Sequence, residues 1–209
     1  MFLTVLMSML YSCAVSSKVS TAETYRAADF SPAKMEEAGM AILPVTAGAD
    51  LEGYRRPFGD ELNRVAASTF EGVVPWDRTM NLLNEKGLVK EYQEAVQAYN
   101  ETAILDKSIT RQMADALGVR YLLYVRLAPP ESSSDMRYDY VSGGAYQQQT
   151  KAVFAYAKVW DAQGDIVWEG SSEARAVSGA YSYINESIQE QCEKTANALV
   201  KRLAGLPVE

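Results

Sequence analysis

Between residues 57 and 117 apolar side chains recur three and four positions apart, between 120 and 176 they alternate, and from 184 the helical spacing returns. A chain whose hydrophobic period changes in that order must lay helices against a sheet. The run Met40–Val45 is too short for a helix and reads as a buried strand with Pro44 at its end. Pro57 opens a helix carrying Phe58, Leu62, Val65 and Thr69, Val73-Val74 is a second short strand, and Asp77 caps a helix over 78–86 closed by Gly87. Leu88, Tyr92, Ala95, Val96 and Tyr99 mark another amphipathic helix, and Asp106 caps one over 107–117 that stops at Gly118. A strand over 120–127 follows, then a hairpin of 151–162 with 165–176 around Gln163-Gly164, then a helix over 184–204 with Cys192 on its buried stripe. The predicted class is α/β (α+β): a mixed sheet of about five strands covered by helices, in the order β-α-β-α-α-α-β-β-β-α, with a C-terminal helix.

Composition removes most chemistry from such a fold. Among 209 residues there is no histidine, which excludes Ser-His-Asp and Cys-His nucleophile activation and nearly every transition-metal site. Two cysteines permit neither a Cys-rich zinc site nor more than one disulfide. Twenty Lys and Arg against 27 Asp and Glu give a net charge of −7, the wrong sign for a surface that tracks phosphates, so no nucleic-acid partner is expected. No catalytic residue, metal ligand or cofactor is assigned.

Residues 1–12 are uncharged and rich in Leu, Met, Val and Phe. As a helix this run would reach only ~18 Å, short of a ~30 Å hydrocarbon core, and it reads as the apolar region of a signal peptide. Its end, Leu10-Tyr11-Ser12-Cys13, resembles the lipobox of bacterial lipoproteins. That resemblance implies lipidation of Cys13, the residue left first after cleavage, and a palmitate-bearing anchor. Ala14 in the next position implies, by the same resemblance, delivery to the outer membrane on its periplasm-facing side. Residues 14–38 are polar and without period, so 13–38 is expected to be a lipidated tether, with docking of Tyr25 and Phe30 onto the folded body as the alternative. One αβ domain, 39–209, completes the division.

The strand AILPV, the segment GVVPWDRTMNLLNEKGL, the strand entry LGVRYLLYVRL and the hairpin AKVWDAQGDIVWEG occur in an order that resembles the αβ domain of bacterial envelope lipoproteins such as the curli secretion lipoprotein, and the amino-terminal domain of the Tol-system periplasmic protein. The resemblance spans about residues 39–205 and implies fold far more than activity.

Within the body, Gly48 and Gly53 have phosphate-loop spacing, but Tyr54-Arg55 stands where Lys-Ser/Thr is needed, and Asp50 and Glu52 would repel a nucleotide. Arg55 and Arg56, near a helix start, suit a carboxylate or phosphate, or simply salt partners such as Asp60 and Glu61. Asp161 and Asp165 read as turn residues, and Trp160 and Trp168 as a cross-strand aromatic pair. Residues 129–149 form a polar loop between strands, in which Tyr138, Tyr140 and Tyr146 among Ser, Gly and Gln have the composition of a partner-binding surface. Asp135, Arg137 and Asp139 deny that segment the apolar alternation of a transmembrane hairpin. The expectation is a non-enzymatic, membrane-anchored envelope lipoprotein that binds a protein partner or itself in envelope assembly or secretion. An oligomeric secretion or pore subunit, or a carboxylate-dependent enzyme with a deep titratable pocket, are the alternatives.

Overall fold

A computed structural model describes residues 16–102, 105–139, 143–178, 184 and 186–208. In chain order these form β1 (Ser16–Arg26), α1 (Pro32–Ala38), β2 (Met40–Ile42), β3 (Thr46–Ala47), α2 (Glu52–Thr69), β4 (Val73–Val74), α3 (Trp76–Glu85), α4 (Val89–Thr102), α5 (Lys107–Leu117), β5 (Tyr121–Asp139), β6 (Gly144–Asp161), β7 (Ile166–Val177) and α6 (Ile188–Leu203). The seven strands make one mixed sheet in the order β1-β7-β6-β5-β2-β4, with β3 pairing β5. Strands β2, β3 and β4 run parallel to their neighbours, whereas β5, β6, β7 and β1 are antiparallel.

Alternation along the strands sends side chains to two cores. On one face Ile42, Leu123, Val125, Val153, Ala155, Val159 and Trp168 pack against α1, α2 and α6 through Met35, Phe58, Leu62, Cys192 and Leu199. On the other, Ala41, Leu43, Leu122, Tyr124 and Trp160 meet α3, α4 and α5 through Leu83, Tyr92, Met113 and Leu117. The predicted class is therefore the observed one, with the helices on both faces of the parallel half of the sheet. The cap signals of α5 act as written: the Asp106 carboxylate accepts from Ser108 N at 2.7 Å and Ile109 N at 3.4 Å, and Gly118 closes the helix at φ 66°. Asp77 is not the cap expected of it, because α3 already starts at Trp76 behind Pro75 and leaves Asp77 inside its first turn.

Four other expectations need correction. The polar segment read as a tether is part of the sheet from Ser16 onward: β1 pairs β7 from Ser16↔Val177 to Arg26↔Trp168, and α1 follows, capped by Ser31. Of the two aromatic residues offered as docking points, Phe30 is buried against Tyr121, and Tyr25 stays largely exposed. Residues read as the polar loop 129–149 are instead the far halves of β5 and β6, paired from Glu131↔Ala152 to Asp139↔Gly144. Pro129 and Pro130, which have no N–H for a ladder, fall where the register shifts between Ala128 and Glu131. Trp160 and Trp168 do not pack together, because a bulge pairs Trp168 with Val159 and Trp160 with Ile166 and so sends the two indoles to opposite cores. Finally, α2 begins at Glu52 and carries Pro57 inside it, and α6 begins only at Ile188, behind a capping box of Ser187 and Glu190.

Strand β1 is fastened by a clasp at its far end. Trp168 Nε1 donates to Glu23 Oε2 at 3.0 Å, and the Arg26 guanidinium donates to both Glu23 oxygens at 3.0 and 2.8 Å. The Arg26 bonds lead in holding the Glu23 carboxyl down to about 2, with Trp168 and the Arg202 charge assisting against partial burial. The Trp168 indole lies over Gly170 so closely that a Cβ there would stand 2.5 Å from its Cη2.

Two outcomes follow. Because the folded carboxyl titrates below its unfolded value, the clasp stabilises the native state above about pH 4.5 and that contribution is lost as pH falls toward 2. Glu23→Gln should remove about 1–2 kcal/mol at pH 7, after discount for partial exposure, and nothing below pH 2, measured by urea unfolding across pH. Gly170→Ala should cost at least about 2 kcal/mol by displacing the indole, with a red shift of tryptophan emission.

Candidate interaction sites

The chain changes face at the end of β2: the connection to β4 passes through α2 on one side, and the connection from β4 to β5 passes through α3, α4 and α5 on the other. A crevice opens at such a switch point. It measures about 630 Å³ and lies between Pro44–Thr46, the first turns of α2, Trp76 on α3, and the stripe Tyr92, Val96, Asn100 on α4. Arg55 and Arg56 reach it, but each has a carboxylate partner on its own helix, Glu52 at 3.0 Å and Asp60 at 3.9 Å. The salt-partner reading of Arg56 with Asp60 is the one found. Gly48 and Gly53 do not build a phosphate loop, because residues 49–51 close into a 3₁₀ turn that runs straight into α2.

Trp76 is set by local geometry. Its backbone N–H donates to Asn63 Oδ1 at 3.0 Å, its indole N–H to Asp60 at 3.3 Å, and its ring lies against Gly59, where a Cβ would come within 2.9 Å of Nε1. Deeper in, Thr46 Oγ1 donates to Tyr124 Oη at 2.8 Å, and that hydroxyl donates to Asn100 Oδ1 at 3.2 Å. Tyr99, Tyr124 and Trp160 meet edge-on or tilted with centroids 5.2–5.5 Å apart, and burial raises the pKa of both Tyr92 and Tyr124. These phenols are neutral hydrogen-bonding groups in a packed wall.

On the antiparallel half, none of the described helices covers the face bearing Arg126, Tyr156, Lys158, Glu169, Ser171 and Thr24, where a second groove of about 480 Å³ runs beside Tyr99 of α4. Lys158 bonds Glu169 at 2.6 Å. Burial alone would lower its pKa, but the bonds to Glu169 and Tyr99 more than offset that, so the ammonium stays charged.

The carboxylates whose pKa values are displaced, Glu23, Asp106 and Glu190, are all displaced downward by hydrogen bonds of the clasp or of helix caps. That is the opposite of a proton donor in waiting. Cys192 is buried, and burial pushes its thiol up to about 12, the state of a core residue. Among the described residues no cluster of three metal-binding side chains occurs, and no helix is long and apolar enough to cross a membrane. Asp161 is the predicted turn residue, accepting from Gln163 N and Asp165 N at 2.9 Å, while Asp165 pairs with Lys107.

Beyond the body, β5 and β6 continue as a two-stranded arm. Tyr138 lies on one face with Met136 and their cross-strand neighbours Ala145 and Gln147, and its hydroxyl donates to Gly143 O at 3.0 Å. Tyr146 lies on the opposite face beside Arg137. Two of the three expected contact residues are thus divided between faces. Tyr140 and Cys13 lie outside the described residues. Sequence reasoning missed Met136, which is 70% exposed, and also the crevice wall of Trp76 and Asn100. The first was hidden by reading the segment as a loop, which has no faces. The second depends on long-range contacts.

No family model and no curated protein matches the chain. Solved structures do. The PelC dodecamer from Paraburkholderia phytofirmans is similar at 10% identity over 92% of this chain and 99% of that one, with a TM-score of 0.46. Lipoprotein GNA1162 from Neisseria meningitidis is similar at 15% identity over 80% and 99%, with a TM-score of 0.40. The LpoB C-terminal domain from Salmonella enterica is similar at 12% identity over 70% and 86%, with a TM-score of 0.40. At these scores the likenesses carry no inference about what this chain does.

Gly59→Ala tests the crevice wall. The gain of about 1 kcal/mol in helix propensity is outweighed by about 1–3 kcal/mol of overpacking against Trp76, so a net loss in stability and a shifted Trp76 emission are expected in thermal and fluorescence measurements.

Proposed function

We propose that this protein is a non-enzymatic lipoprotein of the bacterial cell envelope, acylated at Cys13 and held on the periplasm-facing side of the outer membrane, where it binds an envelope protein partner or a second copy of itself. The observation that carries the reading is the sequence Leu10-Tyr11-Ser12-Cys13 at the end of an uncharged apolar run. Supporting it, the first described strand starts at Ser16, three residues after Cys13, so an acyl anchor would grip the sheet directly. The motif resemblance to envelope αβ domains points the same way. The downward-shifted carboxylates, the buried thiol and the absence of histidine offer no group suited to catalysis. Partner contacts are assigned to the arm, with Tyr138, Tyr140 and Tyr146 as the residues whose rings supply area at low conformational cost.

Growth of the expressing bacterium with radiolabelled palmitate should label the wild type and not Cys13→Ser, and density-gradient fractionation should place only the wild type with outer membranes. An unlabelled wild type in the cytosolic fraction would contradict the proposal.

A further inference from the structure

The pairing registers fix which end of the sheet the arm leaves from. Ser16 pairs with Val177, and Val177 pairs with Thr150. Antiparallel order then sends three things past the same sheet end: the chain backward from Ser16, β6 backward from Thr150, and β5 forward from Ser133. The arm continues six residues beyond Thr150 to Gly144, roughly 20 Å at ~3.3 Å per residue. Cys13 stands three residues before Ser16, a chain length of at most about 10 Å. An anchor on Cys13 therefore leaves the arm tip at least about 10 Å farther out than the anchored residue.

The tip carries the side chains such a position calls for. Helix α6 covers its face of the sheet as far as Lys151, whose carbonyl accepts from Gln191 Nε2 at 3.3 Å. On the same face beyond that point, Met136 is 70% and Tyr138 56% exposed, with Ala145 and Gln147 across the ladder. An apolar thioether beside a phenol with a polar tip suits the boundary between headgroups and acyl chains. Arg137 and Asp135 fall on the other face, opposite Tyr146 and Gln148. The arm is charged on one side only, which fits lying in an interface and not crossing a bilayer. A two-stranded ribbon is also marginal in water by itself, so covering one face would firm it.

We infer that the Met136 and Tyr138 face of the β5–β6 arm docks into the headgroup and upper acyl region of the bilayer that holds the Cys13 anchor. This rests on the lipoprotein reading and narrows it: of the arm tyrosines assigned to partner contact, Tyr138 is given to lipid, and the Tyr146 face is the one left for a protein. Membrane contact at two points then fixes the tilt of the sheet, which a single flexible anchor would leave free.

The test uses the full acylated chain in vesicles of phosphatidylethanolamine and phosphatidylglycerol, with acylation verified by intact mass. Gln147→Cys, beside Met136 on the docking face, carries an environment-sensitive nitrobenzoxadiazole label. Cys192 is buried and Cys13 is blocked by its thioether, so the label is specific. Lys90→Cys, on exposed α4, is the control. Shallow brominated lipids should quench the label at 147 at least about twofold and leave the label at 90 unchanged, and Met136→Ser with Tyr138→Ser in the Gln147→Cys background should abolish the quenching without altering acylation or Tm. An acylated protein whose label at 147 is unquenched, or quenched no more than at 90, overturns the inference alone, as would an arm protected by a protein and not by lipid. A chain with no acyl mass overturns the lipoprotein reading and the inference together.

Discussion

One carboxylate holds the edge of this molecule in place. Glu23 accepts from the Trp168 indole and, through both carboxylate oxygens, from Nε and Nη2 of Arg26, and the indole is pinned in turn by the missing side chain at Gly170. Without that clasp β1 has little to hold it, since Val19 is the only large apolar residue between Ser16 and Glu23. Its backbone ladder alone would fray from an edge position. With the clasp, the strand becomes a rigid extension of β7, and whatever is attached just before Ser16 is attached to the sheet. A bulge between Glu23 and Tyr25, together with Lys18 on the strand, keeps this edge from recruiting another strand.

The geometry of the sheet then aligns the functional features. The arm and the chain leading to Cys13 leave from one end, and the carboxyl ends of β2 and β3, with the crevice between α2 and α4, point the same way, because both strands run parallel to β5. The opposite end is closed by the Asp161 turn and the Lys107–Asp165 pair. A body anchored at Cys13 would thus present its arm to the membrane, and its open sheet face, with Arg126, Tyr156 and the Lys158–Glu169 pair, sideways to the periplasm.

How much of this was legible depended on whether a local rule decided the outcome. Asp106 and Gly118 bound α5 as read because a side-chain cap and a left-handed glycine act within one turn. The inward set Val153, Ala155, Ala157 and Val159 was legible because both neighbours of β6 bury that face. Strand β1 was not, since Ser17, Val19, Thr21 and Glu23 share the face toward α6, only one of them is hydrophobic and none is fully buried; its place in the sheet comes from a partner about 150 residues away. The arm failed for a similar reason: Ser and Gln pair as well as Val does when no core is required, and then nothing alternates. The bulge at Val167 that separates Trp160 from Trp168 leaves no mark in composition. In the arm, the tyrosines drew attention to the segment and Asp135 and Arg137 spoke against a transmembrane hairpin, but its pairing and the division of Tyr138 from Tyr146 needed the register.

The claim on which the rest turns is that residues 16–26 are a clasped strand of the sheet and not a leash. Amide hydrogen exchange measures this directly. The account predicts that the amides of Lys18, Ser20 and Ala22, which the register aims at β7, exchange with protection within about 1 kcal/mol of those in β7, and that Glu23→Gln releases them ahead of the rest of the sheet. Exchange of these amides at the rate of an unstructured peptide in the wild-type protein would contradict it.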